Sequence, residues 1–147
     1  MLTVEASATT AATPEQVWAE WIDVARWSQG DVIEEAELDG AFAVGSTIRT
    51  KAKGFPRSTL TVTVVDRPHL WVDESRAPGV RMTFEHVIEP GTAGTKVTER
   101  ALISGVLAPV VGRLMRGRLE RLFAASTADL VSRTGTATAP ALAAEPG

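Results

Sequence analysis

The sequence predicts an α+β fold, in which a curved antiparallel sheet of seven strands wraps around a long C-terminal helix, with two short helices after the first strand. Apolar and polar residues alternate over 2–9 and through most of 32–104, the pattern of strands with one buried face. Short turn sequences separate these stretches, which indicates antiparallel neighbours. From 107 to about 131 the period becomes helical. Helices on one face of an antiparallel sheet define the α+β class.

The two short helices are predicted from their start signals. Thr13 is a good N-cap, Pro14 suits the first helical position, and Gln16 can close a capping box. Asp23 can cap the second helix in the same way. The apolar residues of both helices lie about one turn apart and are expected to be buried: Val17, Trp18, Trp21, Ile22, Val24 and Trp27.

Six further strands follow, each bounded by turn residues. Their predicted ranges are 32–39, 45–53, 58–66, 69–77, 80–89 and 95–104. The breaks between them contain the residue types that favour turns, namely Asp39-Gly40, Gly54-Phe55-Pro56, Arg67-Pro68, Pro78-Gly79 and Pro90-Gly91.

The C-terminal helix has an apolar and a charged face. Its apolar stripe is expected to pack on the sheet and consists of Val111, Met115, Leu119, Leu122, Phe123 and Leu130. The opposite side carries Arg113, Arg116, Glu120 and Arg121. Residues 134–147 are Ala, Thr, Pro and Gly without periodicity, so we expect a disordered tail. The domain is therefore predicted to span residues 1–133.

Composition excludes several classes of protein. The 147 residues suit one domain, and 44% hydrophobic with 22% charged residues is typical of a globular chain. A net charge of −3 gives no footprint for nucleic acid. The absence of cysteine excludes disulfides and thiolate metal sites. No signal peptide and no apolar run near ~20 residues is found, so we expect a cytoplasmic protein without membrane insertion. We expect a monomer or a homodimer.

Four stretches carry a family resemblance: Thr13-Pro14-Glu15-Gln16-Val17-Trp18, Asp23-Val24-Ala25-Arg26-Trp27, Gly94-Thr95-Lys96-Val97-Thr98-Glu99-Arg100, and Ser104-Gly105 before the last helix. In this order, over residues 2 to about 133, the chain resembles the START-like helix-grip superfamily, in its polyketide cyclase/dehydrase (SRPBCC) branch. The resemblance implies a helix-grip fold with a deep cavity between the last helix and the sheet. That cavity is expected to take hydrophobic or polycyclic ligands.

The resemblance does not choose between binding and catalysis. Relatives include aromatase/cyclases, sterol and lipid carriers, quinone-binding proteins and plant hormone receptors. Many relatives carry a further tryptophan just after the pair that corresponds to Arg26-Trp27, whereas Gly30 stands there in this chain. This departure predicts a pocket mouth that is more open or differently shaped.

Strand parity and hairpin turns predict which residues face the cavity. Pairing Ala77 with Val80, and Ile88 with Val97, places apolar residues opposite one another. The same register puts Trp71, His86 and Glu99 side by side, with Asp73 close to them. Since a charge on an apolar face must be paired or hydrated, this face is expected to have a polar corner. The candidate catalytic residues are His86, Glu99 and Asp73, and the candidate ligand-binding residues are Trp71, Ser75, Met82, Phe84, Ile88, Val97, Ala101, Val111 and Met115.

Each candidate also has a structural interpretation. His86 and Glu99 can be a hydrogen-bonded pair that only stiffens the sheet. A bulge can turn Glu99 towards solvent, and Asp73 can be hydrated at the open end of the sheet. The arginines of the last helix are most simply a solvated face, with docking of an acidic acyl carrier protein as the alternative. Three tryptophans are more typical of core packing than of ligand platforms: Trp18, Trp21 and Trp27.

Three functions remain open at this point. The main prediction is a carrier or binding protein for a small hydrophobic ligand of lipid, polyketide or aromatic type. The alternative is an aromatase/cyclase in which His86, oriented by Glu99, carries a proton during aldol closure and dehydration, with Asp73 as second candidate. The chain has no tyrosine, and pocket tyrosines are common proton donors in such cyclases, which favours binding. The third is an interaction module that uses the basic helix face.

Other chemistry lacks support in the sequence. Two histidines, His69 and His86, without cysteine make a zinc site improbable, and no phosphate-loop motif occurs. A triad of Ser75, His86 and Glu99 has no nucleophile elbow to present the serine. We therefore expect no metal and no cofactor.

Overall fold

The computed structural model describes residues 2–144, with side chains over residues 2–134. Its elements in chain order are β1 (Leu2–Thr10), α1 (Pro14–Trp21), a 3₁₀ helix (Val24–Gln29), β2 (Ile33–Leu38), β3 (Thr47–Ala52), β4 (Ser58–Asp66), β5 (Leu70–Ala77), β6 (Val80–Gly91), β7 (Gly94–Ser104) and α2 (Ala108–Ala144). The predicted α+β helix-grip fold is confirmed. Strand ends differ from the predicted ones by at most two residues, at the start of β3 and the end of β6.

The seven strands form one antiparallel sheet in the order β1-β7-β6-β5-β4-β3-β2. Register shifts interrupt the pairing of β2 with β3, between Ile33 and Glu35, and of β4 with β5, between Val62 and Val64. Such bulges bend a strand and increase its twist. The sheet accordingly curls into a half-barrel, and α2 lies on its concave side.

The start of α1 follows the predicted capping box. Gln16 N donates to Thr13 Oγ1 at 3.2 Å, and Thr13 N donates to Gln16 Oε1 at 2.9 Å. The prediction for Asp23 was wrong, because its side chain makes no capping hydrogen bond and the segment after it is a 3₁₀ helix. Trp27 Nε1 instead donates to Trp21 O at 2.8 Å, which ties the 3₁₀ helix to α1.

Gly30 follows the 3₁₀ helix at a point of close approach to α2. A Cβ at this position would lie 2.6 Å from Asp129 Oδ2, so a side chain fits only if Asp129 moves. The position where many relatives carry a tryptophan is therefore occupied by a contact between the 3₁₀ segment and α2.

The helix α2 is longer than the sequence predicts. It continues past 131 to Ala144, and Thr134 is still buried, with its Oγ1 3.0 Å from both Leu130 O and Thr10 Oγ1. Thr134 is thus the last residue whose side chain is described, and the predicted domain boundary at 133 stays a prediction. Residues 145–147 lie outside the described residues, so the disordered tail as a whole stays a prediction. None of the described helices, α2 included, combines the length and apolar character needed to cross a membrane.

Candidate functional site

Strands β5, β6 and β7 position the candidate site, and their predicted register is confirmed. Ala77 pairs with Val80 and Ile88 with Val97. Trp71, His86 and Glu99 consequently stand in one row across the three strands. Because side chains two residues apart on a strand share a face, Asp73 points to the same concave side.

A cavity of about 640 Å³ lies between this face and α2. Nine of the twelve predicted site residues line it: Trp71, Asp73, Ser75, Met82, Phe84, His86, Glu99, Val111 and Met115. The other three do not, although their strand parity is right. Ile88 and Val97 are packed beneath α1 against Trp18, and Ala101 is covered by Phe123. The helices fill the space above those strand positions, so for these three the predicted ligand contact is not supported.

The cavity also takes residues that were not among the predicted ligand-binding positions. Trp21 and Trp27 line it, while Trp18 is confined to the core. On α2, Ser126, Asp129 and Arg133 also line the cavity. Ser126 lies one helical turn after Leu122, so the period of the apolar stripe could have predicted its position. Residues of the β3–β4 connection reach the mouth without any periodic signal: Phe55, Pro56 and Arg57.

Aromatic rings cover one end of the cavity. The Trp71 and His86 rings are stacked, with centroids 3.4 Å apart and planes at 1°. Trp27 stacks against Trp71 at 5.9 Å, and Trp21 meets both the Trp71 and His86 rings edge-on, at 6.0 and 5.2 Å. The edge-on contacts of Trp21 have the geometry that ring quadrupoles favour, whereas the Trp71 and His86 rings lie face to face. Trp71 is fully buried within this group and Trp27 is partly exposed, so Trp27 is the ring that a flat ligand can pack against.

His86 is held in one tautomer by the neighbouring strand. Its Nδ1 lies 3.2 Å from Trp71 O, and because a carbonyl only accepts, Nδ1 carries the hydrogen. Nε2 then presents a lone pair 3.9 Å from Glu99 Oε2, which is too far for a hydrogen bond. Burial lowers the pKa of His86 to about 3, opposed by its hydrogen bond to Trp71 O. The imidazole is thus neutral at pH 7, and the expected hydrogen-bonded pair with Glu99 is not formed.

Both carboxyl groups are protonated more readily than in water. Burial raises the pKa of Glu99 to about 7, opposed by a hydrogen bond with the Ser126 side chain. Burial, and then repulsion by Glu99, raise the pKa of Asp73 well above its ordinary value, opposed by a backbone hydrogen bond. Desolvation disfavours the charged form of an acid, which explains both directions.

Three buried polar atoms around this corner have no hydrogen-bond partner among the described residues: Trp71 Nε1, Asp73 Oδ1 and Glu99 Oε1. Buried polar atoms are nearly always satisfied by protein, water or a ligand. The corner can donate from the indole, accept at His86 Nε2, and do either at the two carboxyls. Among the described residues no cluster of His, Asp and Glu is arranged to hold a metal ion.

A second cavity, of about 450 Å³, adjoins the first. It lies between α2 and the β3–β4 connection and has Val32, Phe55 and Leu122 in common with the main cavity. Its charged lining residues are Asp31, Lys53, Arg118 and Arg121.

Comparisons with known proteins agree with this architecture. A family model described as polyketide cyclase / dehydrase and lipid transport matches residues 1–135. Norcoclaurine synthase from Thalictrum flavum, solved with dopamine and hydroxybenzaldehyde, superposes with a TM-score of 0.70 at 15% identity, over 90% of this chain and 84% of that one. A protein from Thermus thermophilus gives a TM-score of 0.70 at 19% identity, over 93% and 99% of the two chains.

The di-domain aromatase/cyclase StfQ of the steffimycin biosynthetic pathway gives a TM-score of 0.71 at 9% identity, over 94% of this chain and 52% of that chain. At these identities the structural likeness shows the fold alone. No curated protein sequence matches the chain.

Proposed function

The chain belongs to the polyketide cyclase/dehydrase and lipid transport family, and on this basis we propose that it binds a small, mostly hydrophobic ligand with an aromatic or polycyclic core in the cavity under α2. The observation that carries the proposal is an apolar cavity of about 640 Å³ with partnerless polar atoms at one end. Binding and carriage of that ligand are the function that this geometry supports best.

The size and lining of the cavity support this class of ligand. Ligand sites are commonly about 300–1,000 Å³, largely apolar, with a few placed polar groups. Met82, Phe84 and Met115 supply apolar wall, and the partly exposed ring of Trp27 supplies a stacking surface. The two aromatic molecules in the norcoclaurine synthase complex agree with such a site in a protein of the same fold.

The unpaired atoms support a ligand with at least one hydrogen-bonding group. Trp71 Nε1, Asp73 Oδ1 and Glu99 Oε1 each lose hydration on burial without a protein partner in return, and leaving a group in this state costs about 1–3 kcal/mol. A hydroxyl or carbonyl group of the ligand removes that cost for the atoms it reaches. A hydroxylated aromatic should therefore bind more tightly than the bare hydrocarbon.

This expectation is measurable by tryptophan fluorescence, since the chain has four tryptophans and no tyrosine. We expect 1-naphthol to change the fluorescence saturably and to bind about tenfold more tightly than naphthalene, a difference of about 1.4 kcal/mol. Native mass spectrometry of the freshly purified protein should detect a co-purifying apolar molecule. If naphthols, lipids and polyketide mimics all fail to bind, the proposal is wrong.

A matched pair of variants separates the cavity from the rest of the sheet. Ser75→Phe places a ring in the cavity and should weaken naphthol binding by about tenfold or more, because overpacking typically costs 1–3 kcal/mol. Thr83→Phe adds the same ring to β6 at a position outside the cavity lining and should leave the affinity unchanged. Equal effects of the two variants on isothermal titrations would contradict this location.

An aromatase/cyclase is the second candidate, favoured by one observation. Glu99 has a pKa of about 7 in a largely apolar site, and an acid/base catalyst works best when its pKa is near the working pH. The proton carrier in this version is Glu99 rather than His86, whose pKa is too low for the role. As a carboxylate, Glu99 removes the α-proton of a β-keto chain. The carbanion then attacks a second carbonyl carbon of the chain, and Glu99, now a carboxylic acid, returns the proton to the alkoxide that this attack forms.

Turnover of a poly-β-ketone mimic tests the second candidate. We expect Glu99→Gln to lose about 100-fold or more in kcat/KM, and wild-type kcat/KM to rise with pH through about 7 as Glu99 ionises. Glu89→Gln, at an exposed position of the same hairpin, is the control and should be fully active. Ligand binding without turnover in the wild type would leave the carrier function alone standing.

A further inference from the structure

The turn before α2 and the first turns of α2 together expose an unusual concentration of apolar side chains. Six large hydrophobic residues are exposed among the described ones, and four of them fall within nine consecutive positions: Val106, Leu107, Val110 and Leu114, at 87%, 45%, 57% and 72% exposure. The other two lie singly, Val44 in the β2–β3 connection and Val64 on β4. Scattered exposed aliphatics are ordinary, whereas a contiguous group indicates an interaction site.

Arginines surround this group on the same side of the helix. With 3.6 residues per turn, Val110, Leu114 and Arg121 lie along one line, with Arg113 on one flank and Arg118 on the other. The buried side of α2, with Leu119 and Phe123, is opposite. We call the exposed side of α2 as far as Arg121, together with Val106 and Leu107 in the turn before it, the outer face of α2.

These arginines are not neutralised by the fold. Within the described side chains, none of Arg113, Arg116, Arg118 and Arg121 forms a salt bridge. Seven other arginines do: Arg26, Arg49, Arg57, Arg67, Arg76, Arg100 and Arg133. The only acid from 106 to 121 is Glu120. A chain with a net charge of −3 therefore keeps a cluster of free positive charge at this one place.

We propose that the outer face of α2 docks on an anionic lipid surface, with Val106, Val110 and Leu114 at the boundary of the acyl chains and the arginines on lipid phosphates. Helices that lie in a membrane interface typically combine aliphatic residues with flanking basic ones. Each Lys or Arg near anionic headgroups increases the affinity of the protein for the membrane by about fivefold. The exposed face of a helix is convex, which suits a fluid surface. Interfaces with folded proteins are enriched in aromatic residues as well as arginine, and the outer face has the arginines but no aromatic residue.

The position of this face bears on how the cavity is reached. Val111 and Met115, which line the cavity, lie on the same two turns of α2 as Val110 and Leu114. Arg118 and Arg121 line the second cavity, which adjoins the first, with Lys53 on the facing connection. Docking in this orientation brings this side of the two cavities close to the lipid, where an apolar ligand concentrates. The docking proposal does not depend on the identity of the ligand, and its failure would leave the binding proposal untouched.

Vesicle flotation tests the proposal with the full chain. We expect binding to vesicles of phosphatidylcholine with 30% phosphatidylglycerol in low salt, little binding to pure phosphatidylcholine, and loss of binding at high salt because of screening. The variant Arg113→Gln/Arg118→Gln/Arg121→Gln should bind about 100-fold more weakly, from about fivefold per arginine. The variant Val106→Ser/Val110→Ser/Leu114→Ser should lose at least tenfold.

The controls use equivalent residues elsewhere on the molecule. Val44→Ser/Val64→Ser removes the two other exposed aliphatics and should bind like wild type. Because the chain has no cysteine, Leu114→Cys accepts a single environment-sensitive dye, whose emission should shift to the blue on anionic vesicles, while the same dye on Val44→Cys should not respond.

Four results would overturn the proposal. They are the absence of binding to anionic vesicles, equal binding to neutral vesicles, full binding by the triple serine variant, and a silent dye at position 114. A concentration-dependent dimer that Leu114→Ser abolishes would assign this face to a second copy of the chain. Binding to an acidic carrier protein through the arginines, with no vesicle binding, would assign it to that protein.

Discussion

Replacing Glu99 by glutamine should increase the free energy of unfolding at pH 8.5 by about 3 kcal/mol. Burial raises the pKa of Glu99 from 4.5 to about 7, so the folded state holds a proton that the unfolded state has released. The free energy of unfolding therefore falls as the pH rises from 4.5 to 7. Above pH 7 it stays lower by the full amount, which is 1.36 kcal/mol for each unit of difference between the two pKa values. Glutamine has a similar shape and carries no charge. It also removes the repulsion that Asp73 experiences from Glu99.

The choice of pH separates this effect from that of His86. Burial lowers the pKa of His86 from 6.5 to about 3, so the unfolded state binds the extra proton and stability rises with pH across that range. The two contributions have opposite signs and overlap between 4.5 and 6.5. Above pH 8 the imidazole is neutral in both states and only the carboxyl groups contribute.

Urea unfolding at pH 8.5 and pH 5 is the measurement. The advantage of Glu99→Gln should shrink to below about 1 kcal/mol at pH 5, where most of the proton difference has vanished. Glu120→Gln, at an exposed position of α2, should match wild type within about 0.5 kcal/mol at both values. A variant that is less stable than wild type at pH 8.5 would mean that the Glu99 carboxylate is held by favourable contacts, contrary to the site described above.

The register of the site was predictable because local chemistry determines it. Pro78-Gly79 forms a two-residue turn between β5 and β6, so one pairing, Ala77 with Val80, sets every other pair along the hairpin. The apolar match of Ile88 with Val97 extends the same reasoning to β7. The row of Trp71, His86 and Glu99 across the three strands therefore followed from the sequence.

The depth of the cavity along those strands was not predictable. Ile88 and Val97 have the same parity as His86 and Glu99, and only the path of α1 over the sheet covers the first pair and leaves the second open. That path depends on packing between distant segments, which a single-sequence pattern does not contain. The cavity-lining residues of the β3–β4 connection, such as Phe55, could not be predicted for the same reason.

The chemical state of the polar corner also required three-dimensional distances. In the cyclase alternative, the sequence pairs His86 with Glu99 and gives the histidine the role of proton carrier. The hydrogen bond of His86 Nδ1 to Trp71 O and the 3.9 Å gap to Glu99 do not support that pairing. Both depend on shifts of about an ångström and on complete burial, neither of which strand parity determines.

Trp18 and Trp27 should respond to truncation in opposite ways, although both belong to the same aromatic group in the sequence. Trp18 is 2% exposed and packs edge-on against Phe42 within the core. Trp18→Ala should therefore lower the free energy of unfolding by about 3–5 kcal/mol. Trp27 is partly exposed at the cavity wall, where its ring stacks on Trp71, so Trp27→Ala leaves a space already open to solvent and should lose only about 1–2 kcal/mol.

Ligand affinity should show the reverse order. Trp27→Ala removes a stacking surface of the cavity and should weaken 1-naphthol binding by about fivefold to tenfold, since an aromatic pair contributes about 0.5–1.5 kcal/mol beyond its buried area. Trp18→Ala, measured where the variant is folded, should bind 1-naphthol as wild type does, because Trp18 does not line the cavity. Urea unfolding and fluorescence titration of the two variants together test both halves. If Trp18→Ala lost affinity and Trp27→Ala did not, the ligand would bind outside the cavity under α2, because Trp27 lines that cavity and Trp18 does not.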